Sequence, residues 1–487
     1  MSASAFSPLW TAAEVVAATG GTTSGDWVCN GVSIDSRSVA PGDLFIAIAG
    51  PTHDGHGFVT DALAKGAAAA VVHKAPEGID QPEKLLMVDD TFAALQALGA
   101  AARARLTGKV IGVTGSVGKT GTKEMLALAC AAQGGPVHAT QGNLNNHWGL
   151  PLTLARCPRE AAWCILEMGM NHAEEIRPLS RLAQPHVAVI TTVEAVHLEY
   201  FDSVEDIARA KAEILDGVVD GGTAALPRDN PHHALLLASA ERCNLRTTSF
   251  GSHIHASARL LHTNVTENGM RVLADFYGDN LEYTIGATGR HWALNSLAVL
   301  AAIRAAGGDV HAAARALVGM TPPKGRGKRQ SISLPESRGG GLLTIIDESY
   351  NASPVSMRAA LNVLDGMKPG PGGRRIAVLG DMLELGGESD SLHAALADAV
   401  SGARIDRVHT CGPHMAHLAA ALPQDRRGHH AEDSAALAPL VADDVRGGDV
   451  VMVKGSLGSR MAAVLDALLA LNAGSSAGGT SGNGKES

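Results

Sequence analysis

The segment VTGSVGKTGTK at residues 113–123 sets the architecture around it. The preceding GKVIGV is rich in β-branched residues and reads as a buried strand. The following KEMLALACAAQ has the propensity and apolar spacing of a helix. Gly115 and Gly118 let the intervening backbone curl so that its N–H groups point inward. With a helix N-terminus behind it, such a nest binds anionic oxygens. Lys119 is placed to reach the terminal phosphates of a nucleotide, and the Thr120 hydroxyl to ligate Mg²⁺. The strict phosphate-loop pattern has glycine where this chain has Val113, so the segment is a variant P-loop. The plainer reading, a glycine turn with an exposed lysine, is disfavoured by the strand and helix that flank it.

A chain of 487 residues exceeds one ordinary core, so several domains are expected. Aromatic residues make up only 3%, so the cores must be built mainly of Ala, Val and Leu. Segments such as SIDSRSVAPGDLFIAIAG and GHGFVTDALAKGAAAAVVH read as a small N-terminal α/β unit. From about Lys109 a strand–helix rhythm strengthens, with WCILEMG and PHVAVITTV as strand runs. This is the pattern of an open, mostly parallel sheet that binds ligands at the strand carboxyl ends. Residues 249–286 alternate more, like an antiparallel insert. The Pro/Gly-rich TPPKGRGKRQ at 321–330 marks a boundary. Beyond it LLTIID, RRIAVLG, RVHTCG and DVVMVKG are strands of a third α/β unit. The expected division is 1–107, 108–320 and 321–472, with a flexible tail at 473–487.

The formal net charge of −9 argues against nucleic acid as a partner. No apolar run is long enough to span a bilayer, and the N-terminus lacks the basic start and apolar core of a secretory leader. A cytoplasmic location is therefore expected. The six scattered cysteines contain no C-x-x-C and read as small core residues.

A P-loop enzyme needs further Mg²⁺ ligands at neighbouring strand ends. Glu167 ends WCILE, and His197 follows ITTVEAV. Each residue alone reads equally well as a turn residue, and imidazole is the less common Mg²⁺ ligand.

The segments TGSVGKT, QGNLNNHWGLP, LEMGMNH, AVHLEYF, AKAEIL, GRHWALNSL, KGR, DESYNASP, GDMLELG and VKGSLGSRM follow one another over residues 114–461. In this order the chain resembles the Mur ligase family, ATP-dependent amide ligases of peptidoglycan synthesis. The N-terminal IDSRSVAPGDLFIAIAG and DGHGF resemble that family's UDP-sugar-binding domain. The resemblance implies three α/β domains: a UDP-sugar domain, a central P-loop ATP domain with a mostly parallel sheet, and a Rossmann-like C-terminal domain.

Roles for individual residues follow from the resemblance. Thr114, Gly115, Ser116, Val117, Gly118, Lys119 and Thr120 would bind the ATP phosphates and Mg²⁺. Glu167 and His197 match the family's metal ligands, and Lys211 its carbamylated lysine, whose acquired negative charge helps hold a second Mg²⁺. By residue type alone, Lys211 reads as an exposed helical lysine. Asn295 matches the adenine-side asparagine, while Arg326 and Asp347 match nucleotide contacts from the C-terminal domain. Asp347 read by itself is a strand-end cap. Two positions depart from the family pattern. Gly121 stands where a second hydroxyl residue is common, and Trp292 replaces the first asparagine of H-N-x-x-N.

The resemblance implies that a substrate carboxylate is activated as an acyl phosphate and then captured by an amine. His172 and His393 are candidates, by residue type only, for the base that frees that amine. Within the family, the motifs are most similar to the member that joins D-alanyl-D-alanine to UDP-N-acetylmuramoyl-tripeptide, and a monomer is expected. The alternatives are the relative that adds the third amino acid to UDP-N-acetylmuramoyl-dipeptide, or a non-catalytic P-loop module. The third-residue ligase carries Asp-Asn-Pro-Arg in its C-terminal domain. This chain has DNPH at 229–232, in the central region and without the arginine.

Overall fold

The computed structural model describes residues 7–50, 53–196, 198–266 and 269–473. Three main sheets follow one another along the chain. The first has four parallel strands in the order Gly31–Ser33, Asp43–Ile46, Ala69–Val72 and Leu85–Met87. The helix Thr91–Arg105 leads out of it, capped by Asp90, whose carboxylate accepts from Phe92 N and Ala93 N at 2.7 and 3.0 Å.

The second sheet has nine strands. Its parallel part runs Val137–Ala139, Trp163–Glu167, Lys109–Thr114, Val187–Ile190, Thr223–Pro227, Arg246–Gly251. From Lys109–Thr114 the chain crosses to the sheet edge at Val137–Ala139 and returns through Trp163–Glu167. It then continues on the other side at Val187–Ile190. The P-loop strand therefore sits where the winding reverses, the place at which open α/β sheets bind ligands. The alternating stretch forms antiparallel strands as expected, and they extend the second sheet. Ala258–Thr266, Gly269–Phe276 and Asp279–Ile285 are an antiparallel meander joined to the same sheet through Arg246–Gly251. Alternation marks strands with one solvated face, and that pattern does not say which sheet they join.

The third sheet runs Lys328–Ser333, Leu342–Glu348, Val450–Lys454, Arg375–Gly380, Arg407–Cys411, Arg427–Ala431. The first strand is antiparallel and the others are parallel. The four strands expected from sequence are present. The basic KRQSIS and RGHHA edge strands were not legible, because edge strands carry little apolar signal.

The first two units share one continuous apolar core. It runs from Trp10, Leu44 and Leu98 to Leu166, Ile190 and Leu226. Polar contacts close the same joint. Trp10 Nε1 donates to Ala155 O at 2.8 Å, and Arg103 donates to Ala183 O and Gln184 O at 2.7 and 2.8 Å. The third unit has its own two cores, one on each face of its sheet. Among the described residues no helix is long and apolar enough to cross a membrane. Five of the six cysteines are buried, and all six are free thiols. Of the tail expected at 473–487, residues 474–487 lie outside the described residues.

His409, on an interior strand of the third sheet, is fully buried. Its Nδ1 accepts from His429 N at 3.0 Å, which leaves Nε2 to donate to Asp444 at 3.1 Å. Burial holds the imidazole at a pKa of about 4, although Asp444 favours the cation. The unfolded chain therefore binds the proton first as pH falls below the ordinary histidine range, and stability drops between about pH 6.5 and 4. Replacing His409 with Gln should flatten that acid slope by about 2 kcal/mol at pH 4.5. Denaturant unfolding of both proteins at pH 7 and 4.5 measures it, and equal slopes would refute the assignment.

Candidate active site

A cavity of about 940 Å³ opens where the carboxyl ends of the second and third sheets face each other. The P-loop forms its floor. Gly115 has φ +146°, and a Cβ there would lie 2.0 Å from Thr191 Oγ1. Gly118 has φ +88°, and a Cβ there would lie 2.7 Å from Asn295 Nδ2. Both positions thus require glycine for conformation and for space. The segment after the strand Val187–Ile190 laces the loop down. Thr191 N donates to Thr114 O at 2.9 Å and Thr191 Oγ1 to Val117 O at 2.6 Å, while Ser116 N donates to Thr192 O at 2.9 Å. Ser116 Oγ also accepts from Glu194 N at 2.9 Å.

Residues 116–120 line the cavity, together with Glu167, Asn295 and Arg326. Thr114 is fully buried beneath it, and its hydroxyl donates to Met168 O at 2.8 Å. Thr114 and Gly115 therefore shape the cradle from below. Lys119 begins the helix Lys119–Ala131 and donates to Gly115 O at 2.6 Å. Burial lowers its pKa, Glu167 raises it, and Arg326 from the third unit lowers it further. These three charges thus sense one another across the cavity.

Glu167 is 2% exposed. Asn145 Nδ2 donates to its Oε1 at 2.8 Å, whereas its buried Oε2 has no hydrogen-bond partner among the described residues. An oriented carboxylate with one free oxygen, on the strand next to Thr120, is a donor set suited to a hard cation. Asn145 lies within QGNLNNHWGLP, but residue type alone gave no reason to pick it out. His197 lies outside the described residues.

Lys211 lies in the last turn of the helix Val204–Ala212 and is not a surface lysine. It is fully buried, and its Nζ has no hydrogen-bond partner among the described residues. Burial, and next the Lys119 charge, push its pKa well below the ordinary lysine value, against the opposing pull of Glu213 and Glu175. Helical periodicity could not show this, because another element covers the side chain.

The third unit supplies the opposite wall. The Pro/Gly-rich boundary is an ordered turn, held by Asp347. That carboxylate accepts from Gly325 N at 2.9 Å and from Ser349 N and Oγ at 3.1 and 2.6 Å. The turn presents Arg326, whose guanidinium lies 4.1 Å from the Tyr350 ring centroid. Glu348 and Lys454 also line the cavity, with Lys454 Nζ 3.5 Å from Glu348 and donating to Asn351 O at 2.9 Å. Both are strand-end residues that sequence reasoning missed. DNPH at 229–232 is a turn on the cavity rim. Asp229 accepts from Ser252 N and His253 N, and Asn230 Nδ2 donates to Val193 O at 2.8 Å. Of the two histidines considered as a base, His393 is buried with both ring nitrogens engaged, by Met382 N and Ser389 O. His172 is exposed and stands edge-on to Tyr200 at 4.6 Å.

Comparison with known proteins places this arrangement. Residues 28–104 match the Mur ligase family catalytic domain, 113–303 the Mur ligase middle domain, and 335–457 the Mur ligase glutamate ligase domain. The chain is 35% identical to the UDP-N-acetylmuramoyl-tripeptide–D-alanyl-D-alanine ligase of Bacillus subtilis, over 91% of this chain and 93% of that one. It is 33% identical to the same-named ligase of Rickettsia prowazekii, over 94% and 99%. The chain belongs to the Mur ligase family. The crystal structure of MurF from Acinetobacter baumannii superimposes on this Mur ligase with a TM-score of 0.81 at 28% identity, covering 95% of this chain and 99% of that one. The MurF ligase of Thermotoga maritima, solved in complex with ADP, matches at a TM-score of 0.74 and 26% identity, covering 90% and 96%.

Lys119→Ala removes the ammonium from the cradle without touching Gly115 or Gly118. ATP turnover by this Mur ligase should fall at least about 100-fold, the scale for losing one charge-stabilising donor, with the melting temperature unchanged. Near-normal turnover by the folded variant would show that the P-loop is not the phosphate site.

Proposed function

We propose that this chain joins D-alanyl-D-alanine to UDP-N-acetylmuramoyl-tripeptide at the cost of ATP, releasing ADP and phosphate. The observation that carries this reading is similarity over nearly the whole chain, at 33–35% identity, to ligases of that name. The P-loop facing a second α/β unit across one cavity supports it. By this reading residues 1–107 hold the UDP-sugar end, 108–320 the ATP, and 321–472 the amine substrate. The reaction takes place in the cytoplasm and the chain acts as a monomer.

The tripeptide carboxylate attacks the γ-phosphorus of ATP. A carbon–oxygen–phosphorus link forms and ADP leaves. The amine of the dipeptide then attacks the acyl carbon, and inorganic phosphate departs with the oxygen. The first step brings two anions together, and Lys119 and Arg326 lower that repulsion from opposite walls. The N–H groups of residues 116–120 orient the phosphates, and Asn295 holds the adenine side. Asp347 serves the nucleotide through the turn it ties, which aims Arg326. Thr120 Oγ1 and Glu167 Oε2 are the atoms that would hold Mg²⁺, with His197 and Lys211 completing the set. Bound there, the ion supplies positive charge to the transferring phosphoryl group.

A buried, unpartnered lysine with a strongly lowered pKa carries a free amine electron pair. Such an amine adds to carbon dioxide and loses a proton, giving a carbamate anion. Lys211 is the residue on which we place that modification.

The third-residue ligase is the runner-up, and the placement of DNPH counts against it. Asp229 and Asn230 tie two loops of the central unit together, so their polar groups are already used. No arginine follows them to grip a distal carboxylate by a bidentate pair.

Two measurements check the proposal. Phosphate release should require both UDP-N-acetylmuramoyl-tripeptide and D-alanyl-D-alanine. Product only from UDP-N-acetylmuramoyl-dipeptide with diaminopimelate or lysine would select the runner-up. No product from either pair, with ATP still bound, would select the P-loop binding module. Separately, Lys211→Ala should lose most activity and regain part of it with added short carboxylates. An unmodified Lys211 in fully active enzyme, read at neutral pH by carbon-13 NMR with labelled bicarbonate, would exclude the carbamate.

A further inference from the structure

Gly121 lies in the first turn of the helix Lys119–Ala131, where glycine lowers helix propensity. Its backbone does not call for glycine, since residue 121 is not among those with positive φ. The missing Cβ instead makes room. A Cβ at 121 would lie 2.7 Å from Trp292 Cζ3 and 2.8 Å from Cη2. Those atoms are the far edge of a rigid ring that is 5% exposed and packed into the core with Met125, Leu126 and Leu297. A methyl group there could be admitted only by shifting the buried indole or the helix turn that carries residue 121.

The contact has a counterpart three residues along. Asn295 sits on the helix Arg290–Ala305 on the same face as Trp292, and its amide rests on Gly118. One helix thus seats two side chains, three residues apart, on the two glycines that bracket Lys119 and Thr120. The two departures from the family pattern, Gly121 and Trp292, are therefore a single feature in space. The hydroxyl side chain absent at 121 leaves the volume that the indole fills.

We propose that Trp292 is a positioning residue for nucleotide binding, acting through its steric fit to Gly121 to fix Lys119 and Thr120 beneath the phosphates. The inference rests on reading residues 116–120 as the phosphate cradle. It predicts that neither residue of the pair can change alone without displacing the first turn of the helix.

The test is a double-mutant cycle with Gly121→Ala, Trp292→Ala and the double variant, and with Trp292→Phe as a second background. The measurements are the Kd for ADP by calorimetry, the KM for each of the three substrates, and the melting temperature. Gly121→Ala alone should weaken ADP binding and raise the KM for ATP about 10-fold, leaving the other two KM values unchanged. In the Trp292→Ala background the same methyl group should have less than about a 2-fold effect, because the space is then open. If Trp292→Ala does not fold, the Trp292→Phe background serves, and there the methyl group should again cost less than in the wild type. Unchanged ADP affinity in Gly121→Ala, or an equal effect of the methyl group in every background, would overturn the pairing. Wild-type protein that binds no ADP would instead overturn the nucleotide reading on which it rests.

Discussion

Burying a titratable group without adequate partners costs several kcal/mol if it is charged, and the organisation of this protein turns on three such groups. Lys211 is fully buried with no partner for its Nζ among the described residues, and Glu167 keeps one buried oxygen unpaired. Among the described residues, Lys119 donates to the backbone carbonyls of Gly115 and Ser116. Their fields overlap, since Lys119 depresses Lys211 and Glu167 supports Lys119. A folded chain retains this arrangement when what it binds restores the missing partners. Phosphate oxygens suit Lys119, and a hard cation suits the free carboxylate oxygen of Glu167 and a carbamate on Lys211.

The rest of the architecture holds those groups in register. The first two units share an apolar core and are cross-tied by Arg103 and Trp10, so they form one base. The third unit keeps separate cores and meets that base through contacts such as Arg329 with Thr288 and Glu199 N with Glu384 O at 3.4 Å. A unit with its own core can move as a body without exposing apolar surface. Such movement would bring Arg326, Glu348 and Lys454 to the phosphates and exclude water from an acyl phosphate.

Legibility in the sequence varied with how local the deciding physics is. The P-loop, its strand and its helix were readable because propensity, glycine placement and periodicity all act within about twenty residues. Interior strands of the third sheet were readable as apolar runs, whereas the polar edge strands Lys328–Ser333 and Arg427–Ala431 were not. Resemblance to a family supplied Lys211 and Asn295, the first of which reads by residue type as an exposed helical lysine, and it gave weight to Glu167, which its strand-end position had already picked out. Asn145, Glu348 and Lys454 carried no local signal at all. Their importance comes from what faces them across 22 to over 100 residues of chain.

The sequence by itself determined that a phosphate-binding strand–turn–helix exists, that the sheets around it are mainly parallel, and that the chain divides into three α/β units. Those properties follow from short-range backbone preference and hydrophobic period. Only the tertiary structure decided that Lys211 is buried, that Asp347 ties the turn presenting Arg326, and that Trp292 rests on Gly121. Burial, charge coupling and steric fit depend on distances between elements far apart in the chain, and no local pattern encodes those distances.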